Sequence, residues 1–329
     1  MPKQTGKKTL CLFVLGALFV LLLAGTFYWQ AGGADISNPR GNFWRVVRHG
    51  IPAYTSTPAQ GHTILIVNNG ENWREFRNGF LMPFSQVLIV LALVAMGVFY
   101  GVVGPDKLEK PRSGVKVERY TPWERVLHWY TAALFIIMAV TGLSLLLGRI
   151  VLIPIFGHVA DSAYLQMSKV LHNYSGPLLL IGIILEFVLW VRINIPRRMD
   201  LQWLKNMGGM LCKGPRPHTG RVNIGQKGWF WLVVIFGTIV GVTGVLLDFP
   251  IWGQTRFTMQ VSHVIHAITA VLFVTTSLGH IYMGSVGVEG VFEGMWTGSV
   301  DAVWAQEHAD LWYQEKIRER ESKPETPIP

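Results

Sequence analysis

Five of the ten histidines in this 329-residue chain fall inside long apolar stretches: His128, His172, His263, His266 and His280. Imidazole is the commonest protein ligand for transition metals, and a polar side chain inside a bilayer is costly enough to require a partner. One interhelical hydrogen bond would satisfy any single member of the set, but their joint placement asks for more. His266 and His280 are 14 residues apart, which on a helix is about 1400°, or four turns less roughly 40°, so both face the same way. Their axial separation is about 21 Å, most of a hydrocarbon core roughly 30 Å thick. His263 lies about 100° around the axis from His280, off that common face, which makes His266 the better candidate. His128 opens a helix at the membrane side where His280 closes one, and His172 opens a helix at the side where His266 starts one. Two imidazole pairs therefore lie at two depths, His172 with His266 and His128 with His280.

Two imidazoles per site suit axial ligation of haem iron, and a pair of such ligands leaves no open coordination position, which favours electron transfer over oxygen chemistry. The pattern reads as two haems b stacked across a membrane. No Cys-x-x-Cys-His occurs, which excludes covalent c-type attachment. The two cysteines, Cys11 and Cys212, do not suggest an iron-sulfur cluster, so any cluster belongs to a partner. Small residues at helical spacing (Gly237, Gly241 and Gly244, with Thr141-Gly142 and Ser175-Gly176) fit either a porphyrin groove or plain close helix packing. Glu186 is either a proton relay or a carboxyl that is neutral or paired, for instance with Arg192. A solvated surface role is expected for His49, His62, His158, His218 and His308.

Positioning these residues requires membrane-spanning helices. Half of the chain is apolar and 15% is charged, well below the quarter typical of soluble domains. A water-soluble globule, a disordered chain, a collagen-like chain and a disulfide scaffold are all excluded. Crossings are predicted at 81–103, 126–148, 170–191, 228–247 and 259–283, each about the 20 residues that a bilayer demands. A sixth apolar run, 10–29, follows Lys3, Lys7 and Lys8 as in a signal peptide or an uncleaved signal anchor. Gly-Gly-Ala before Asp35 is a poor cleavage site, which favours retention. With the amino terminus cytoplasmic, segments 1–9, 104–125, 192–227 and 284–329 hold 3, 6, 8 and 4 of the 29 basic residues, against 5, 2 and 1 in the exported segments. This asymmetry fixes the expected orientation and accounts for the net charge of +9, so no nucleic-acid partner is implied.

The expected fold is an all-α integral membrane protein: a four-helix haem-binding transmembrane bundle with an N-terminal extension adding one or two transmembrane helices. Its parts are a signal anchor or signal peptide (1–30), an exported periplasmic segment (31–80), an additional helix (81–103), a cytoplasmic loop (104–125), the cytochrome b core (126–283) and a cytoplasmic tail (284–329) bearing a short amphipathic surface stretch. Phe43, Trp44, Tyr54 and Trp73 are too many aromatics for a free linker, so the exported segment is expected to pack on a partner or on the added crossings.

The stretches ERVLHWYTAALFIIMAVTGLS, KVLHNYSGPLLL, VRINIP, VNIGQKGWFW, VTGVLL, the VIHAITA and GHIYM pair and VFEGMWTGSVDAVWAQEHADLWY, in that order from Arg119 to Tyr313, resemble the cytochrome b (gamma) subunit of membrane-bound respiratory formate dehydrogenases. The resemblance implies haem ligands at His128, His172, His266 and His280, in agreement with the depth argument. It implies an iron-sulfur (beta) subunit and a molybdenum or tungsten catalytic (alpha) subunit, with selenocysteine or cysteine, on the exported face of a bacterial inner membrane. The chain would be a multi-pass relay that reduces a quinone, menaquinone or ubiquinone, while formate is oxidised elsewhere. The quinone would sit near Asn223 in VNIGQK. Asn223 and Gln226 offer amides, Gly225 allows close approach, and the second ring nitrogen of His280 could donate to the quinone; the same motif would also serve simply as a helix cap. Cytochrome b subunits of nickel-iron hydrogenases and thiosulfate reductases share the architecture. A haem-free secondary transporter would show inverted halves and midplane charges, and a third class is a structural anchor without cofactors. No functional residue before residue 104 follows from the resemblance.

Overall fold

The computed structural model describes residues 73–205 and 216–322. The expected leader or anchor, most of the 31–80 segment, Cys11, His49, His62 and Cys212 lie outside the described residues. Five described helices are long and apolar enough to cross a membrane: α1 (Trp73–Val102), α2 (Pro122–Val151), α3 (Ile153–Trp190), α5 (Ile224–Asp248) and α6 (Arg256–Tyr282). Each covers one predicted crossing to within one residue, and the protein is an all-α, multi-pass membrane bundle. Between α3 and α5 lies the short α4 (Asp200–Lys205). After α6 come α7 (Val291–Thr297), α8 (Ala302–His308) and α9 (Asp310–Glu321).

Local chemistry explains why helices overrun their apolar cores. Thr121 and Glu124 form a reciprocal capping box with Pro122 at the first turn, which starts α2 four residues before the predicted position. Asn223 and Gln226 do the same for α5. The predicted exported loop at 149–169 is instead mostly helical, interrupted at Gly157, whose φ of 75° is open to glycine.

Polarity is inverted relative to a soluble bundle. Ile136, Ile137, Val140, Ile181, Val188 and Ile235 point outward, where only lipid would accept them. Thr131, Thr141, Ser175, Thr243, Thr269 and Ser277 are buried between helices, where small residues allow close approach, and Thr131, Thr141, Thr243 and Ser277 donate to carbonyls of their own helices. At mid-height Leu179, Ile183, Val233 and Phe273 form a buried apolar layer backed by Phe135, with the Phe135 and Phe273 rings 4.8 Å apart.

One end of the bundle carries a folded cap, where the sequence predicts a loop and a surface tail. Strand β1 (Lys116–Glu118) pairs antiparallel with β2 (Ser299–Asp301), with Val117 opposite Val300. Beneath them Val300, Trp304, Ala305, Ala309 and Trp312 make a small core. Asp301 accepts bonds from the Ser113 and Gly114 amides and caps α8 through Val303. The Arg119 guanidinium is buried over the Trp304 ring at 4.4 Å and donates to the Arg221 carbonyl. Asp106 accepts two bonds of 2.8 Å from Arg216, and its carboxylate lies 3.3 Å from His308 Nε2, which is itself 2.8 Å from Arg216. His308 is therefore not the solvated residue expected of a tail: it stacks on Trp304 and its side chain is 11% exposed.

Burial opposes ionisation of Asp106, but the hydrogen bonds and charges of His308 and Arg216 outweigh it and hold its carboxyl below the ordinary value. A depressed folded value contributes stability above the unfolded value, about 3.9, and loses it as pH falls through the folded one. The 104–108 and 216–219 amides are thus expected to exchange faster, after correction for intrinsic rates, below about pH 4. Asp106→Asn should show that faster exchange already at pH 6; protection unchanged in the variant would refute the role.

Candidate functional site

Helices α2 and α3 form one antiparallel pair and α5 and α6 another; α1 packs on α6. The frame brings the four inward histidines together two by two. His172 of α3 faces His266 of α6 with ring centroids 6.2 Å apart, and His128 of α2 faces His280 of α6 with centroids 6.4 Å apart. The first pair lies at the end remote from the cap, the second at the cap end. Phe273 of the mid-height layer is seven residues from each of His266 and His280.

The remote pair is held by two copies of one device. Thr141 Oγ1 lies 2.9 Å from His172 Nδ1, and Thr243 Oγ1 lies 3.1 Å from His266 Nδ1. Each threonine hydroxyl donates to its own helix, to the Ile137 carbonyl at 2.7 Å and the Ile239 carbonyl at 2.6 Å, which leaves its oxygen to accept. His266 Nδ1 also lies 3.0 Å from the Val240 carbonyl, which can only accept. Both Nδ1 atoms therefore carry the proton, and each Nε2 keeps a free lone pair, the form a metal binds. The following glycines admit the rings: a Cβ at Gly142 would lie 3.0 Å from His172 Cε1, and one at Gly244 would lie 3.3 Å from His266 Cε1. A cavity of about 600 Å³ surrounds this pair, with apolar walls that include Phe135, Met138 and Leu179 and with Arg77, Lys169 and Asp248 among its charged lining residues.

At the cap end Trp229 of α5 stacks on His280, with centroids 4.5 Å apart and planes 9° from parallel. The buried Nδ1 of His128 has no hydrogen-bond partner among the described residues. Trp229 lies in the turn after Asn223, Gly225 and Gln226, which ties that motif to the His128/His280 pair. Asn223 Oδ1 accepts from the Gln226 amide at 2.9 Å, and Gln226 Oε1 accepts from the Asn223 amide at 3.0 Å and from Arg119 at 3.4 Å. The side-chain oxygens thus serve the helix terminus, and only the amide nitrogens are candidates for a ligand. Gly225 is exposed beside them.

His263, the competing residue, is exposed, with its Nδ1 2.8 Å from the Met259 carbonyl and its ring 5.4 Å from that of Trp73. His158 is exposed on α3, and His218 is exposed and paired with Asp310. Glu186 is buried beside Thr131 and makes no ion pair among the described residues. Sequence reasoning missed Thr243 altogether and saw in Thr141 only a small residue. The repeat of Val-Thr-Gly at 140–142 and 242–244 is the signal that could have found both. Arg77 and Trp229 carried no such mark.

Residues 119–298 match the family described as prokaryotic cytochrome b561. Among curated proteins, the chain is 32% identical over 216 residues to the formate dehydrogenase cytochrome b556(fdo) subunit of Escherichia coli, covering 64% of this chain and 97% of that one. It is 33% identical over 210 residues to the nitrate-inducible formate dehydrogenase cytochrome b556 subunit of the same organism, covering 62% and 92%. A formate dehydrogenase cytochrome b556 subunit of Haemophilus influenzae is 26% identical over 212 residues, covering 61% and 84%.

Proposed function

The chain belongs to the prokaryotic cytochrome b561 family, and on that premise we propose that it is the membrane-anchoring dihaem subunit of a formate dehydrogenase complex. It relays electrons from an exported iron-sulfur subunit, fed by a molybdenum or tungsten subunit that oxidises formate, to a quinone on the cytoplasmic side. The relatives named above support formate as the electron source over hydrogen or thiosulfate.

One observation carries the reading: two imidazole pairs with the spacing of bis-ligated iron, one towards each end of the bundle. A metal to imidazole bond is about 2 Å, and the ring centroid lies roughly 1.1 Å behind the nitrogen, so two axial rings on one metal have centroids about 6.2 Å apart. The separations of 6.2 and 6.4 Å fit that figure. The protonated Nδ1 atoms at the remote pair and the cavity around it fit as well. His172 with His266 and His128 with His280 would hold the two haems b. When bound, bis-imidazole haem supplies one-electron transfer with no open coordination site. Thr141 and Thr243 fix the imidazole tautomer and orientation from behind. The basic residues gathered on the cap, among them Lys107, Lys110, Arg112 and Lys116, support a cytoplasmic cap by the positive-inside rule.

Quinone reduction takes up two electrons and two protons and needs donors to the quinone oxygens. The amide nitrogens of Asn223 and Gln226, one turn from the Trp229 ring that stacks on His280, support a quinone site at the cap end, with Gly225 leaving room for the ring. Because the amide oxygens form a helix cap, the test must spare them. Asn223→Asp with Gln226→Glu keeps both cap acceptors and removes both donors. In complex purified with its bound subunits, formate is expected to reduce the b-type haem bands of wild type and variant at equal rates. Reoxidation by added quinone should slow about tenfold or more in the variant, the loss of one or two hydrogen bonds. Wild-type reoxidation would move the quinone elsewhere, and a colourless preparation would remove the proposal as a whole.

A further inference from the structure

Helix α1 begins outside the family-matched region, which starts at residue 119. It nonetheless forms part of the wall of the His172/His266 cavity through Trp73 and Arg77. Although α1 packs on α6, the Arg77 guanidinium reaches α2, where Nη2 donates to the Leu145 and Leu146 carbonyls at 3.1 and 3.0 Å. The side chain therefore crosses from one helix pair to the other beside the cavity. At Arg77 the helix changes from α to a π-helical turn, Arg77–Leu81, a local distortion that is frequent at functional sites. One turn earlier Trp73 packs against His263 of α6 and fixes the approach of α1.

Among the described residues the charges near this cavity are unbalanced. Arg77 and Lys169 line it against Asp248, and Arg149 is close enough to act on the Arg77 guanidinium. An arginine in a membrane segment is expensive without a strong partner, and neutral carbonyls are weaker partners than a carboxylate, which guanidinium grips through a charge-assisted, often bidentate contact. The cavity is apolar around the imidazoles and cationic at Arg77 and Lys169. That is the complement of a flat apolar ring system with two carboxylates, the chemistry of haem b.

We propose that Arg77, together with Lys169, binds the carboxylate side chains of the haem held by His172 and His266, so that the added helix completes this haem pocket. The inference rests on the dihaem reading above. A positive charge beside the iron disfavours its oxidised form, so removing Arg77 lowers the midpoint potential of that haem alone. It also weakens retention, since a charge-assisted hydrogen bond to a carboxylate is worth about tenfold in affinity or more.

The test is an optical redox titration of the detergent-purified full chain. Arg77→Gln should shift one of two midpoints to more negative values, while Arg77→Lys should stay near wild type. In a His172→Ala background, which retains only the other haem, Arg77→Gln should change nothing. The Arg77→Gln protein should also lose that haem to an excess of a soluble haem acceptor about tenfold faster or more. Both midpoints unchanged in Arg77→Gln, or a shift that persists in the His172→Ala background, would overturn the proposal. Should Arg77→Gln not accumulate, Arg77→His carries the same test: its charge titrates between about pH 5 and 8, so the potential must fall more steeply with pH than in wild type, and coincident slopes refute it. Wild-type protein with no b-type band refutes the dihaem reading, whereas two haems with unmoved potentials refute only this inference.

Discussion

If the chain holds two haems as proposed, replacing His266 by alanine is expected to lower bound haem from two per chain to one while the other b-type band keeps its position. The expectation follows from the spacing: with centroids 6.2 Å apart, His172 and His266 can share one metal, and among the described residues no third histidine faces them in the same way. His263 is turned towards Trp73 and the Met259 carbonyl and cannot substitute without breaking both contacts. His172→Ala should therefore leave the same residual spectrum as His266→Ala. His128→Ala and His280→Ala should match each other and lose the complementary band. The measurement is the reduced-minus-oxidised spectrum with a haem assay against protein. A His172→Ala protein that kept its remote haem and lost the cap-end haem would overturn the pairing.

The second large effect concerns stability. Lys227 Nζ sits 2.7 Å from Asp200 Oδ2 and 3.2 Å from the Ile195 carbonyl, with the two side chains 5% and 8% exposed. This pair fastens α4 and the chain after α3 to the first turn of α5. Asp200→Ala would leave an ammonium buried with a single carbonyl, a loss of about 3–5 kcal/mol. Replacing both partners by well-packed apolar residues, as in Asp200→Leu with Lys227→Met, should recover most of it, because desolvation of two charges offsets much of their attraction. Unfolding in detergent, compared among wild type, Asp200→Ala and the double variant, reads both numbers. A single variant that unfolds at the wild-type midpoint would show that the pair does not anchor this corner.

The crossings were legible because a bilayer makes one strong demand, about 20 apolar residues in a helix, and each described span covers its predicted run to within one residue. The pairing of histidines was legible for a related reason: rise and twist per residue are fixed, so His266 and His280 could be placed on one face before any contact was known. Nothing comparable marks the cap. Strands β1 and β2 are three residues each and lie far apart in the chain. They are joined by contacts such as Asp301 with Ser113 and Arg119 with Trp304, which no local period reveals. His308 looks like any tail histidine until Asp106 and Arg216 are brought to it from 202 and 92 residues away. In Asn223 and Gln226 the sequence allowed two uses of one motif, and the structure shows why they are hard to separate: the same amides carry cap oxygens and spare nitrogens.

The layer of Leu179, Ile183, Val233 and Phe273 between the histidine pairs has an electrical meaning. On the dihaem reading it would be a thin apolar dielectric with a redox site on either face, and its four side chains carry no group on which a proton could hop. Electrons would tunnel through such a barrier while ions would not, so on the proposed route each electron that crossed would charge the membrane as it would a capacitor. Against 100 mV that transfer stores about 2.3 kcal/mol per charge. A polar residue in place of Phe273 would put water or a titratable group inside the insulator, and the device would conduct electrons as before while leaking the voltage they build.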